Sequence, residues 1–170
     1  MQKDLSKIKL LVVDIDGVLT DGKIIMTEAG DEIKNFNCKD GSGIKYFNRA
    51  GGKVAIITGR DSALVLRRAG ELGIESVRQN CKSKLPAYEE VLREHGVSQN
   101  EVAVVGDDLP DLPMLLHCGF AACPADAVED VASRVDYVCK LPGGAGCVRE
   151  VIEMILRSSG RWQEIMARYL

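Results

Sequence analysis

The chain has 170 residues, 46% apolar and 28% charged, the balance of one packed globular domain rather than a disordered or collagen-like chain. Its 22 basic and 25 acidic residues leave a net charge of -3 with no basic stripe, so nucleic acid is not an expected partner. No apolar run approaches the roughly 18 residues of a membrane span, so no membrane partner is expected either. The opening segment, Met1 to Lys9, lacks the apolar stretch of a secretory signal. The six scattered cysteines (Cys38, Cys81, Cys118, Cys123, Cys139 and Cys147) form no C-x-x-C pair, and they read as reduced thiols of a cytoplasmic protein.

Leu10 to Val13 is a continuous apolar run of strand length, as a strand buried on both faces requires. Two extended pieces follow, Lys23 to Met26 and Glu32 to Asn37, around Glu28-Ala29-Gly30-Asp31, which predicts a β-hairpin over about residues 23–37. Val54 to Ile57 and Val102 to Val105 repeat the buried-strand pattern, with weaker strands near Ser76-Val77, Phe120 to Ala122 and Tyr137-Val138. Between them, Ala63, Leu64, Leu66 and Ala69 have the spacing of one helix face, and Leu85, Tyr88, Val91 and Leu92 of another. Asp61, Ser62 and Ser83 are candidate helix caps. Pro142 to Gly146 reads as a flexible loop, followed by a helix from about Val148 to Leu156 and a last helical tail beyond Gly160. Strands alternating with helices predict an α/β three-layer sandwich with a mostly parallel, Rossmann-like sheet and a hairpin inserted after the first strand.

Ligands of such sheets gather beyond the carboxyl ends of the strands. The three strongest strands end there in Asp14-Ile15-Asp16-Gly17, in Thr58-Gly59-Arg60-Asp61, and in Gly106-Asp107-Asp108 with Asp111 just beyond. Carboxylates brought together in this way repel one another unless a cation sits among them. An oxygen-only set points to a hard ion, Mg2+. His95 and His117 fall in helical segments and are not expected to be ligands. Asp14 and Asp16 are two apart at a strand end, so one carboxylate can attack while the other gives and takes a proton. Thr58 and the amides after it lie where a helix start favours an anion. Lys84 opens a helix against its dipole, at a cost of about 0.3–1 kcal/mol, which hints at another use for its charge.

Asp14-Ile15-Asp16-Gly17-Val18-Leu19-Thr20-Asp21-Gly22, Ile57-Thr58-Gly59-Arg60, Lys84 and Gly106-Asp107-Asp108-x-x-Asp111 resemble, in order, the four motifs of the haloacid dehalogenase-like phosphatases. The resemblance extends through Phe36-Asn37-x-x-Asp40-Gly41-x-Gly43-Ile44 and Gly143-Gly144-x-Gly146-x-Val148-Arg149-Glu150 to members that act on phosphorylated 3-deoxy sugar acids. It implies that Asp14 is the nucleophile, Asp16 the general acid and base, and Thr58 and Lys84 the holders of the phosphoryl oxygens. Mg2+ would be bound by the carboxylates of Asp14 and Asp107 and the backbone carbonyl of Asp16, with Asp108 and Asp111 in support. Gly59 would share in substrate binding, and Arg60 and Arg68 would meet the sugar-acid carboxylate.

The segments after Asp16 and Thr58 are too short for the cap domain of many relatives. Residues 1–170 are therefore expected to be one capless domain with a tail over about 142–170. The resemblance to capless members that carry this hairpin implies a homotetramer assembled through the hairpins, with tails reaching a neighbour's site. Ala145 stands where the Gly-Gly-x-Gly tail often has arginine, which puts tail contact with substrate in question.

Each of these residues also has a plain structural reading. An aspartate or threonine after a strand is commonly a helix cap, exposed arginines are common on helices, and Ile24, Ile25, Met26, Ile33 and Phe36 can be ordinary core. A phospho-receiver domain also gathers acids, a threonine and a lysine, but its acidic pair comes first and its phosphorylated aspartate later. A non-catalytic oligomerisation module would tend to have lost residues of the set, all of which stand here.

Overall fold

The structure, a computed structural model, describes residues 3–170; Met1 and Gln2, part of the segment judged to lack a secretory signal, lie outside them. In chain order the elements are β1 (Leu10–Val13), β2 (Ile25–Met26), β3 (Glu32–Ile33), α1 (Cys38–Arg49), β4 (Lys53–Ile57), α2 (Ala63–Leu72), β5 (Ser76–Arg78) and α3 (Lys84–His95). They continue with β6 (Val102–Val105), α4 (Leu112–Leu115), β7 (Phe120–Cys123), α5 (Glu129–Ala132), β8 (Tyr137–Val138), α6 (Cys147–Ser158) and α7 (Trp162–Met166).

Six strands form one parallel sheet in the order β5-β4-β1-β6-β7-β8. Successive side chains of each strand enter opposite layers, so one run of valines and leucines serves two cores. Leu11, Val13, Val54, Ile56, Ala103 and Val105 pack with α1, α2, α6 and α7 on one face. Leu10, Val12, Ala55, Ile57, Val102 and Val104 pack with α3, α4 and α5 on the other. The three-layer sandwich is as expected, and β1 sits at its centre, where the chain first winds toward β4 and β5 and then returns to β6. The crevice at this reversal is where such sheets bind ligands.

The hairpin is present but shorter than the sequence pattern implies. Only Ile25 and Met26 pair with Glu32 and Ile33, and Thr27 closes the turn by accepting from Gly30 N at 2.9 Å while donating its own amide to Asp31 O at 2.9 Å. On α2 the apolar face is rotated: Val65, Ala69 and Leu72 are buried, whereas Ala63 and Leu66 are exposed. Its apolar residues Ala63, Leu64, Val65, Leu66, Ala69 and Leu72 are compatible with more than one buried face. Ser62 N donates to Gln79 Oε1 at 2.9 Å and Ser62 Oγ to Glu32 Oε2 at 2.7 Å, so Ser62 occupies the cap position without capping. Ser83 before α3 likewise makes no side-chain cap, and Asp61 is exposed without one.

Pro142 to Gly146 is packed rather than loose. Gly144 N donates to Val18 O at 2.9 Å, Asn37 Nδ2 to Gly144 O at 3.1 Å and Gly143 N to Asp126 Oδ1 at 2.9 Å. A Cβ on Gly143 would stand 1.9 Å from Gly17 O, so glycine there lets two backbones meet. Buried Asp40 ties this loop down by accepting from Gly146 N at 3.1 Å and Arg149 N at 2.8 Å, serving as the cap that Gly146 cannot supply to α6. Trp162 and Ile165 of the tail are buried against the same chain, with Tyr46 edge-on to Trp162. All six cysteines are free, and Cys123, Cys139 and Cys147 are core residues.

Asp40→Ala leaves two amides unpaired at the junction of α1 and α6. It should cost about 2–3 kcal/mol in urea unfolding, and a loss below roughly 0.5 kcal/mol would show that water replaces the carboxylate.

Candidate active site

Asp14 extends β1 by one residue, its amide donating to Val105 O at 3.2 Å. Thr58 does the same for β4, donating to Arg78 O at 2.9 Å, and Gly106 for β6, donating to Ala122 O at 3.3 Å. The sheet's own hydrogen bonds thus fix the three tips beside one another. Past Asp14 the chain turns sharply, with Gly17 at φ +92°, and a Cβ there would fall 2.1 Å from Asp107 Oδ2. Only glycine lets the first loop close against the third.

The cleft so formed, of about 250 Å³, is lined by Asp14, Asp16, Thr58, Gly59, Arg60, Lys84, Asp107, Asp108, Pro110 and Asp111. Nine of the ten expected site residues therefore line a single cleft. Arg68 does not: it lies in a separate groove with Lys34, Phe36 and Glu71, its guanidinium 5.9 Å from the Phe36 ring and 3.1 Å from Glu71. A larger groove of about 790 Å³ runs beside Phe120 and Tyr137, the first residues of β7 and β8, away from these carboxylates.

Lys84 is the hub. Its side chain is 3% exposed, and its ammonium lies 2.6 Å from Asp111 Oδ1 and 3.0 Å from Asp14 Oδ1. Burial by itself would lower its pKa, but the two carboxylates outweigh burial and the pKa is raised. The awkward charge at the start of α3 is thereby compensated. Asp111 has both oxygens engaged, since Oδ2 accepts from the amides of Asp107 (3.0 Å) and Asp108 (3.4 Å). Asp108 accepts from Leu109 N at 2.7 Å, and the two aspartates form a reciprocal cap on the turn after β6.

Asp14 and Asp107 are differently placed. Asp14 Oδ1 and Asp107 Oδ1 are buried with no hydrogen-bond donor among the described residues; Lys84 meets Asp14 as a charge only. Burial, and after it the charge of Asp111, pushes the Asp14 carboxyl up. Burial with repulsion from Asp111 and Asp14 pushes Asp107 up to about 8. Oxygens of Asp14, Asp107 and Asp111 come within 4.8 Å of one another. Orphaned, desolvated carboxylates of raised pKa fit a small divalent cation, which would supply their missing partner. The donor set fits Asp14 and Asp107 better than Asp111, whose oxygens are occupied.

Asp16 faces the hairpin side of the cleft, with Lys34 Nζ 2.5 Å from Oδ1 and Arg60 Nε 3.6 Å from Oδ2. Arg60 is held in turn by Glu32, Nη2 to Oε1 at 2.7 Å. Lys34 and Glu32 are the functional neighbours that sequence reasoning missed. The available signal was their spacing of two, which puts both side chains on one side of an extended strand.

A D-x-D loop after the first strand, a strand-end threonine, a buried lysine and a late acidic pair, on a parallel sheet switching at β1, define a class, and the chain belongs to the haloacid dehalogenase-like hydrolase family. Residues 39–119 match that family's profile. Over 92% of its length the chain is 42% identical to the 3-deoxy-D-manno-octulosonate 8-phosphate phosphatase KdsC of Escherichia coli K12, covering 84% of that protein. It is similar also to the Moraxella catarrhalis phosphatase of that name, solved with magnesium, phosphate and KDO (TM-score 0.96, 38% identity, 98% of this chain and 96% of the other). A third relative is the cobalt-bound Haemophilus influenzae enzyme (TM-score 0.90, 39% identity, 93% and 92% coverage).

The Asp107 shift fixes a pH dependence. Without metal, Asp107 keeps its proton in the fold up to about pH 8, whereas its ordinary pKa is 3.8. The metal-free fold binds the extra proton across that window, so the contribution of Asp107 to stability falls as pH rises from about 4 to 8. Magnesium must displace the proton, so the rise in melting temperature on adding Mg2+ should be larger at pH 8 than at pH 5.5. An equal rise at both would contradict this.

Proposed function

We propose that this chain is a single capless phosphatase domain that hydrolyses 3-deoxy-D-manno-octulosonate 8-phosphate to the free sugar acid and phosphate, using Mg2+. The reading is carried by one observation: Asp14 and Asp107 present orphaned carboxylate oxygens beside a buried lysine in a cleft that also holds Thr58 and Asp16. The identities of its relatives agree with this chemistry.

Asp14 is the nucleophile. It displaces the sugar from phosphorus to give an aspartyl phosphate, while Asp16 protonates the departing oxygen. Asp16 then takes a proton from water, whose attack on phosphorus releases phosphate and restores Asp14. Thr58, the Gly59 amide and Lys84 hold the phosphoryl oxygens, and Lys84 offsets charge that grows in the transition state. Asp111 keeps Lys84 aimed and, with Asp108, shapes the loop that carries Asp107. Asp14, Asp107 and the Asp16 carbonyl would hold Mg2+, which would offset negative charge on the phosphoryl group. Arg60, 39% exposed at the cleft wall, is available to a substrate carboxylate, while Arg68 is not within the same cleft.

Two short strands between β1 and α1, and only α2 between β4 and β5, leave the site uncovered by this chain. Ile24, Met26 and Ile33 are 57%, 65% and 49% exposed on the hairpin, which supports a homotetramer assembled through these edges. No helix among the described residues is long and apolar enough to cross a membrane. The setting is cytoplasmic, in lipopolysaccharide precursor synthesis.

Asp14→Asn should abolish turnover, by at least about 10³-fold, with the melting temperature held or raised. Near-normal rates in this variant would remove Asp14 as nucleophile. In a panel of eight- and nine-carbon keto-deoxy acid phosphates with Mg2+, the eight-carbon ester should have the higher kcat/KM, and a clear nine-carbon preference would overturn the substrate assignment. Sedimentation should give four chains per particle; a fully active monomer would contradict the assembly.

A further inference from the structure

The hairpin sends one side chain inward. Lys34 follows β3, whose neighbours on the hairpin are largely exposed, yet its own side chain is 2% exposed. Its ammonium lies 2.5 Å from Asp16 Oδ1 and 3.3 Å from Glu32 Oε1. So enclosed, it reaches the cleft only through the carboxylate it grips. Glu32 is itself anchored, accepting from Arg60 Nη2 and from Ser62 Oγ, each at 2.7 Å, at the approach to α2. The lysine is thus fixed from behind rather than swinging freely.

The two oxygens of Asp16 are left unequal. Oδ1 is tethered by Lys34, whereas Oδ2 has Arg60 Nε at 3.6 Å, beyond hydrogen-bond length. We propose that Lys34 is a positioning residue for proton transfer: it holds Asp16 by Oδ1 so that Oδ2 faces the oxygen leaving phosphorus. The inference rests on the phosphatase reading above. In the step it serves, the Asp14 oxygen bonds to phosphorus as the phosphorus–sugar oxygen bond breaks, and the proton on Oδ2 passes to the departing oxygen. In the next, water bonds to phosphorus, the Asp14 oxygen–phosphorus bond breaks, and the water's proton returns to Oδ2. A hairpin residue thereby takes part in building the catalytic centre, and the hairpin that carries it is the one expected to meet other subunits.

A staple that merely held the hairpin would slow every substrate alike. A residue acting through Asp16 matters only where the leaving oxygen needs a proton. The test follows the first turnover of the full chain with Mg2+ on two esters: the eight-carbon sugar-acid phosphate, an alkyl ester, and p-nitrophenyl phosphate, whose phenolate departs unprotonated. Lys34→Met should slow alkyl-ester cleavage about 10- to 100-fold while nitrophenolate release stays within about threefold and KM is unchanged. Lys34→Arg should bring the alkyl rate back to within about threefold of wild type. Should Lys34→Met not fold, Lys34→Gln is judged by the same ratio. Equal slowing of both esters, or a change confined to KM, overturns the role of Lys34. A wild-type protein inert to both esters removes the phosphatase reading itself, so the two failures are distinguishable.

Discussion

Three carboxylates, those of Asp14, Asp107 and Asp111, come within 4.8 Å of one another where β1 and β6 end and the turn beyond β6 begins, and their repulsion is the constraint around which the site is built. Backbone hydrogen bonds of the sheet bring them there, and those bonds do not relax to separate charges. Compensation comes from a proton retained on Asp107 or from cations placed inside the cluster. Lys84 supplies one, and it serves Asp14 and Asp111 at once. The remaining deficit, on Asp14 and Asp107, fits a divalent ion, which would offset the charge of a bound phosphoryl group.

Rigidity around this charge cluster comes from close backbone contact rather than from a covering domain. Gly17 brings the loop after Asp14 against Asp107, and Gly143 lays the loop before α6 against Gly17 from behind. Asp40 and Asn37, both near the start of α1, hold that second loop in place. On the open side, Lys34 and Glu32 of the hairpin reach Asp16, Arg60 and Ser62. A site held on one side by glycine packing and on the other by ion pairs can keep Asp14 fixed while leaving one side of the cleft open.

Most of the sheet is legible in the sequence because its strands are buried on both faces. Leu10 to Val13, Val54 to Ile57 and Val102 to Val105 can be nothing but apolar, and each ends where chemistry begins. The residues of the cleft share that legibility, since strand ends converge by topology and their motifs keep a recognised order. The rotation of α2 is not legible: Ala63, Leu64, Val65, Leu66, Ala69 and Leu72 allow two faces, and contacts of Ser62 with Gln79 and Glu32 choose between them. Arg68 follows that rotation into a groove beside Phe36 instead of the cleft. The Lys34–Asp16 pair is equally hidden, because only the path of the hairpin closes 18 residues of chain into one contact.

The central claim is that Asp14, Asp107 and Lys84 share one phosphoryl group with a magnesium ion among them. A crystal structure with magnesium and beryllium trifluoride, a mimic of the phosphoryl group, tests it most directly. The account predicts beryllium joined to a carboxylate oxygen of Asp14, magnesium contacting both Asp14 and Asp107, and the Lys84 ammonium within hydrogen-bond distance of a fluorine. Beryllium bound to any other residue, or magnesium seated away from Asp14 and Asp107, would contradict it.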